Sequence, residues 1–316
     1  MFQKRENKIF NLNKKNRFNY KIILSIFLLV LLLLIISLAN QGLANYADRI
    51  LKRLRNEKPE PVIIYKAEKT IKMLEGWMNA DFYQELKNKH FNHWEEEDFL
   101  LVAGERRVYD VNKKQNFSRD WSQEFPFLNS KPENLSLEGY LFPDTYRVFA
   151  SSTPEEVIQR LLNNFATKIT EEMVREIKRQ GKTLHEIITM ASIIEKEAPI
   201  FNQTSREDAK IISGIFWNRL NIGMALQSDA TLSYIFEDNK PVHSGDELKV
   251  DSPYNSYLYR GLPPGPICNP GLIAIEAAIY PIETDYFYFL TPLDGSRVYY
   301  AKTYQEHLNN KYKYLK

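Results

Sequence analysis

An uncharged, apolar stretch at residues 22–39 constrains this chain more than any other feature. Its length is close to the about 20 apolar residues that a helix needs to cross the hydrocarbon core of a bilayer. Residues 1–21 before it are rich in Lys and Arg and contain one acidic residue, Glu6. Because basic flanks stay in the cytoplasm, the pattern predicts a transmembrane helix at 22–39, with a cytoplasmic basic tail and the rest of the chain outside.

A cleavable signal peptide is the alternative reading of the same stretch. Residues 37–39 (SLA) have the small side chains of a cleavage site. The apolar region would, however, be unusually long for a signal peptide, which favours an uncleaved anchor in the cell membrane.

The rest of the chain divides by composition into three parts. Residues 40–60 are charged and end among prolines, which predicts a juxtamembrane stalk. Residues 61–135 predict a small α+β subdomain, and residues 136–316 predict a larger domain of helices with a hairpin near its end. Strand and helix patterns come in blocks and do not alternate regularly, so the predicted fold class is α+β.

Charge and cysteine content narrow the classes of function. Lys and Arg total 42 against 40 acidic residues, so no overall field indicates nucleic acid as a partner. The single cysteine, Cys268, excludes an internal disulfide. His90 and His93 precede a run of acids and resemble metal ligands, but the sequence supplies no third ligand beside them. We therefore expect surface histidines, with no metal and no cofactor.

One predicted helix, residues 183–198, carries a carboxylate in an unusual position. Thr183 and Glu186 form the capping-box pattern that starts a helix. On a helical wheel Glu195 falls in the middle of the apolar stripe, whereas Glu197 lies nearly opposite and is expected to pair with Lys or Arg. A buried carboxyl has a raised pKa, as a general acid requires. The stripe comprises Leu184, Ile187, Ile188, Ala191, Ile194 and Ala198.

Two irregular segments are rich in aromatic residues and prolines. Residues 137–146 (LEGYLFPDTY) combine aromatic rings with acids, which suits either carbohydrate binding or an aromatic core beneath a loop. Residues 251–267 hold so many Pro, Gly, Tyr and Asn residues that they predict a rigid loop, of the kind that often shapes a binding cleft.

Several motifs follow one another in a fixed order, and together they carry a family resemblance. They are residues 137–146, 191–197 (ASIIEKE), 218–220 (NRL), 226–231 (LQSDAT), 252–257 (SPYNSY), 261–267 (GLPPGPI) and 269–271 (NPG). Over residues 137–307 the chain resembles the MltG-type (YceG-like) endolytic murein transglycosylases. This resemblance implies a single-pass membrane protein that cuts peptidoglycan glycan strands, with penicillin-binding proteins of the wall-synthesis machinery as expected partners.

The resemblance also implies particular site residues. It assigns Glu195 as the catalytic acid, which agrees with the helical wheel. It further implies that Gln227, Asp229, Tyr254 and Asn255 bind substrate. The family usually carries a LysM-like part before the catalytic domain, and the short stretch at residues 40–136 indicates that this part is missing or reduced.

Three activities remain open at this stage. A lytic transglycosylase would use Glu195 alone and form 1,6-anhydro-MurNAc ends. A muramidase-type hydrolase would need a second carboxylate, with Asp229 and Glu138 as candidates. A non-catalytic, membrane-tethered glycan-binding scaffold is the third possibility, and the retained acid at position 195 argues against it.

The anchor yields a first prediction, which concerns topology. A reporter fused to the C-terminus should be active only outside the cytoplasm, because the basic tail is retained inside. The mature chain should keep residues 1–39. Amino-terminal sequencing that starts after Ala39 would identify a signal peptide instead.

Overall fold

The chain divides into two units, Met1–Tyr65 and Lys66–Lys316. The computed structural model describes residues 3–54, 67–91, 93–198, 203–238, 240–292 and 297–315. The end of the predicted stalk and the start of the predicted subdomain, residues 55–66, lie outside the described residues.

The first unit contains one long helix, α1 (Gln3–Leu54). Its segment Ile23–Leu51 has a mean hydropathy of 2.9 and is long and apolar enough to cross a membrane. The predicted helix at residues 22–39 is thus helical throughout, and it continues into the region predicted as a stalk. The apolar side chains of this segment are exposed, as those of a lipid-facing helix would be.

The second unit mixes helices with two small antiparallel sheets, which confirms the α+β class. Strand β1 (Glu68–Met73) pairs with β2 (Asp144–Phe149), and β3 (Tyr288–Leu290) pairs with β4 (Tyr299–Ala301). The helices are α2 (Asn79–Asn88), α3 (Glu96–Ala103), α4 (Pro154–Lys168), α5 (Glu171–Arg179), α6 (Leu184–Glu197), α7 (Gln203–Asn221), α8 (Asp229–Phe236), α9 (Leu272–Ile279) and α10 (Tyr304–Tyr314). Short 3₁₀ turns lie at Trp121–Gln123, Pro126–Ser130 and Glu247–Lys249.

The predicted boundary at residue 135 does not separate two compact units. Strand β1 precedes it and β2 follows it, with Glu68 opposite Phe149 and Met73 opposite Asp144. Side chains from both sides of the boundary also share one hydrophobic core. The segment before residue 135 therefore folds as part of the larger domain.

Helix α6 lies at the centre of this core. Its capping box forms as predicted, because the Glu186 N–H donates to Thr183 Oγ1 at 3.2 Å and Thr183 N–H donates to Glu186 Oε2 at 2.7 Å. Every residue from Ile187 to Ile194 is buried. The expectation of a single apolar stripe is therefore too narrow, since neighbours including α5, α7, α8 and α9 pack around the whole helix.

A buried polar cluster joins three loops beside α6. The Asn79 N–H donates to both carboxyl oxygens of Glu138, at 3.1 and 3.2 Å, and Asn269 Nδ2 donates to Glu138 Oε1 at 2.9 Å. Asn269 Oδ1 accepts from the N–H groups of Gly139 and Leu141 at 2.9 and 3.0 Å. Burial raises the pKa of Glu138 to about 8, although these hydrogen bonds oppose the rise.

This cluster yields a prediction about pH and stability. Between pH 4.5, the ordinary pKa, and about 8, the unfolded chain releases the Glu138 proton while the folded chain keeps it. The free energy of unfolding should therefore fall as pH rises through this window, by at most about 1.4 kcal/mol per pH unit from this group.

Glu138→Gln removes this titration and keeps an oxygen to accept from Asn79. Denaturation of both proteins between pH 5 and pH 8 should show a shallower decline for the variant. Parallel declines would mean that Glu138 is ionised in the folded protein.

Candidate active site

The last turn of α6 carries two glutamates that contact different parts of the fold. Glu195 is half-buried, and its Oε2 accepts from the Gly271 N–H at 3.0 Å. The chain before α2 also approaches it, because an added Cβ on Gly76 would lie 3.6 Å from Glu195 Cγ. Burial, together with the nearby charge of Glu75, raises the pKa of Glu195 to about 7. The sequence-based expectation of a raised pKa is thus met.

Glu197 has an environment that the helical wheel did not anticipate. Its carboxyl is enclosed, accepts from Ser228 Oγ and is also hydrogen-bonded by the Ala230 N–H. Burial raises its pKa, the charge of Asp229 adds to the rise, and the charge of Arg219 opposes it. The side of α6 opposite Glu195 is therefore not a solvated face, because α7 and α8 pack there.

A cavity of about 1150 Å³ opens at Glu197. Its polar lining includes Glu197, Arg219, Gln227 and Asp229. Its apolar and aromatic lining comes largely from the C-terminal part of the chain. These residues are Met224, Pro241, Val242, Tyr257, Tyr288, Phe289, Leu290, Pro292, Tyr304, Tyr314 and Leu315. A large space with aromatic walls and a few polar groups is the usual form of a ligand site, and the rings can stack on sugar faces.

The loop before α8 brings Gln227 and Asp229 to this cavity. Gln227 has a positive φ of 51°, and its N–H donates to Ser256 O at 3.1 Å. Ser228 is the residue before α8, but its hydroxyl donates to Glu197 and does not cap the helix. Asp229 Oδ1 accepts from the His243 N–H at 3.0 Å, which fixes the carboxylate at the start of α8.

Tyr254 and Asn255 occupy the core of the neighbouring loop. Tyr254 is buried with its ring 5.0 Å from that of Tyr234. Asn255 Nδ2 donates to the carbonyls of Leu248 and Val250 at 3.0 and 2.9 Å. Both side chains therefore hold the loop in shape, and the motif contributes Tyr257 to the cavity instead.

The structure thus brings together only part of the predicted site. Gln227 and Asp229 line the cavity, and among the described residues its lining does not include Glu195, Tyr254 or Asn255. The sequence analysis did not predict that Glu197, Arg219 and Tyr257 line this cavity. The available signal was that all three lie inside or beside the motifs already singled out.

Side chains able to hold a metal do not converge in the part of the chain that the structure describes. No group of three His, Cys, Asp or Glu residues with suitable placement occurs there. His93 Nε2 lies 3.2 Å from the carbonyl oxygen of Ser152, and its ring lies 5.5 Å from that of Trp94. The side chain of His93 thus contacts the Ser152 carbonyl and the Trp94 ring.

Comparison with known proteins relates this geometry to a family. Residues 44–313 match the sequence model of the YceG-like family. An "Endolytic murein transglycosylase" of Bacillus subtilis (strain 168) is 40% identical over 206 residues, which cover 64% of this chain and 56% of that protein. The protein of the same name from Streptococcus pneumoniae serotype 2 (strain D39) is 36% identical over 179 residues, 55% of this chain and 31% of that protein.

A solved structure is also similar. The 2.6 Å crystal structure of a yceG-like protein from Listeria monocytogenes has a TM-score of 0.63 and 31% sequence identity to this chain, covering 83% of this chain and 80% of that one. The chain spans about half or less of the length of the curated relatives it matches.

The different positions of Asn255 and Gln227 yield a stability prediction. Asn255→Ala leaves two carbonyls and an N–H of the loop without partners, so it should lower the free energy of unfolding by about 2–3 kcal/mol. Gln227→Ala changes an exposed side chain and should alter stability by no more than about 0.5 kcal/mol. Thermal unfolding of the two variants and the wild type measures both. Equal stability of the two variants would contradict the structural role of Asn255.

Proposed function

Since the chain belongs to the YceG-like family, we propose that it is an endolytic murein transglycosylase with Glu197 as its catalytic acid. The observation that carries this proposal is the Glu197 carboxyl, with its raised pKa, in the lining of the 1150 Å³ cavity. The reaction is cleavage of the MurNAc-β-1,4-GlcNAc bond inside a glycan strand. The names of the relatives support transglycosylase activity, and the position of Glu197 in the cavity lining supports its role as the acid.

The proposed reaction needs one carboxyl group and no water. Protonated Glu197 donates its proton to the glycosidic oxygen, the C1–O bond breaks, and positive charge develops at C1 of MurNAc. The Glu197 carboxylate then takes the proton of the C6 hydroxyl of the same sugar while that oxygen bonds to C1. The products are a 1,6-anhydro-MurNAc end and a free GlcNAc 4-hydroxyl. The ring closure is intramolecular, so holding C6 near C1 replaces a bimolecular attack.

The neighbours of Glu197 suit both halves of this cycle. Burial and the charge of Asp229 favour the protonated acid before cleavage. The Ser228 hydroxyl, the Ala230 N–H and the charge of Arg219 favour the carboxylate that remains after proton donation. A raised pKa that is still limited by hydrogen bonds is what an acid–base group needs near neutral pH.

A hydrolase is the second candidate, because Asp229 lines the same cavity. Asp229 would have to activate a water for that reaction. Glu138 is less suited to the role, since it is 4% exposed and its carboxyl oxygens are occupied by Asn79 and Asn269.

The cellular setting forms part of the same proposal. The helix Ile23–Leu51 would anchor the chain in the cell membrane, with the basic N-terminus inside and the cavity outside. There the enzyme would cut nascent strands and end their polymerisation, in company with penicillin-binding proteins. The length and hydropathy of the helix support the anchor.

A pair of matched variants tests the catalytic assignment. Glu197→Gln keeps size and hydrogen bonding but removes the mobile proton, so turnover of uncrosslinked glycan should fall at least about 10²–10⁴-fold. Glu195→Gln, two residues away in the same helix, should keep a substantial fraction of activity, although the sequence favours Glu195 as the acid. Rates are compared for variants with equal melting temperatures. An inactive Glu195→Gln and an active Glu197→Gln would restore the sequence-based assignment.

Mass spectrometry of the products separates the two reactions. The transglycosylase reaction gives anhydro-MurNAc ends, whereas hydrolysis with Asp229 gives reducing MurNAc ends. Absence of any cleavage by the full-length protein would leave the non-catalytic scaffold as the function.

A further inference from the structure

One wall of the cavity has no role in the acid–base chemistry. Strand β3 and helix α10 supply it, with Tyr288 and Phe289 from the strand and Tyr304, His307 and Lys311 from the helix. The rings of Tyr288 and His307 stack at 5.4 Å, and those of Tyr288 and Tyr304 lie 5.9 Å apart. The wall therefore joins aromatic surface to two basic side chains.

Arg219 lies against this wall as a fixed buried cation. It is 6% exposed, its Nε donates to Phe287 O at 2.7 Å, and its Nη1 donates to Leu226 O. Its guanidinium carbon is 5.3 Å from the centre of the Tyr288 ring. No ion pair joins Arg219 to a carboxylate of the described chain, and Glu197 acts on it only through its field. A buried cation without a paired anion is costly unless a ligand supplies one.

Two buried polar atoms in the same lining, Thr291 Oγ1 and His307 Nδ1, have no hydrogen-bond partner among the described residues. Burial and the nearby charges of Lys311 and Arg219 lower the pKa of His307. Leaving such atoms unpaired is unfavourable, and a polar group of a ligand in the cavity would pair them. Lys311, which is exposed and also without an ion pair in the described chain, adds a second positive charge there.

We propose that Arg219, His307 and Lys311 bind a carboxylate carried on the 3-O-lactyl group of MurNAc. That carboxylate is either the free lactyl acid of a strand without peptides or an acid of the attached peptide stem. GlcNAc has no lactyl group, so this contact would select the sugar that occupies the cavity beside Glu197. The inference rests on murein being the substrate, as in the proposed function.

The test measures binding in the full-length protein that carries both Glu195→Gln and Glu197→Gln, so that neither candidate acid can cleave the probes. The probes are three uncrosslinked glycan oligosaccharides that differ only at the lactyl group: free acid, neutral methylamide, and peptide stem. Calorimetry should give at least about tenfold tighter binding of the free acid or the stem form than of the methylamide. Preference for the free acid identifies the lactyl carboxylate, and preference for the stem form alone identifies the peptide. Equal affinity for all three overturns the proposal.

A second pair of variants locates the contact. Lys311→Gln in the same background should reduce the carboxylate preference about threefold, as for one exposed ion pair. Lys313→Gln is the matched control, because Lys313 is exposed on the same helix and does not line the cavity. Equal effects of the two would exclude a specific role for Lys311.

Arg219→Gln should remove most of the remaining preference. Because Arg219 also holds two carbonyl groups, structural damage would weaken binding of all three glycans alike. Loss confined to the two charged glycans supports a carboxylate contact, and a uniform loss contradicts it. These affinities do not depend on which glutamate is the acid, whereas the rates of the Glu195 and Glu197 variants do. The carboxylate contact and the catalytic assignment can therefore fail independently.

Discussion

Burial of the Glu197 carboxyl is the constraint to which the neighbouring elements are fitted. A carboxyl at the end of a central helix loses hydration, and this loss must be offset by hydrogen bonds or by protonation. Ser228 supplies a hydroxyl to it, although that residue is in position to cap α8. Ser256 in turn holds this loop, because its Oγ accepts from the Ser228 N–H at 3.0 Å. The motif at residues 226–231 and the motif at 252–257 are thus joined by Ser228 and Ser256, and Ser228 connects both motifs to the acid.

Some residues of these motifs hold the loop backbone in place, and others present their side chains to the cavity. Asn255 and Tyr254 lie in a motif, but neither side chain reaches the cavity. The Asn255 amide donates to backbone carbonyls, and the Tyr254 ring packs against the Tyr234 ring. The Asn269 amide likewise donates to Glu138 and accepts from the N–H groups of Gly139 and Leu141. Tyr257 and Gln227 keep side chains that reach the cavity. A loop that presents a few side chains to a ligand needs others to fix its backbone.

Local features of the sequence predicted local structure well. The apolar stretch gave a helix long enough to span a membrane, and the Thr183–Glu186 pair gave the start of α6. Features that depend on long-range packing were not predictable in the same way. The pairing of β1 with β2 joins residues on both sides of the predicted boundary. A helical wheel assumes one buried face, whereas α6 is surrounded, so the wheel gave the relative directions of Glu195 and Glu197 but not their surroundings.

Glu195 and Glu197 show why a raised pKa alone does not identify a catalytic acid. Both carboxyls are desolvated, and the pKa of each is raised for that reason. Glu195 accepts from the Gly271 N–H, at the end of the loop that Asn269 ties to the buried cluster around Glu138. Glu197 shares its cavity with Gln227, Asp229 and Arg219. Burial raises the pKa of both acids, so the pKa does not distinguish them. Proton transfer requires contact with the substrate, and the acid that lines a space large enough for a sugar is therefore the better candidate.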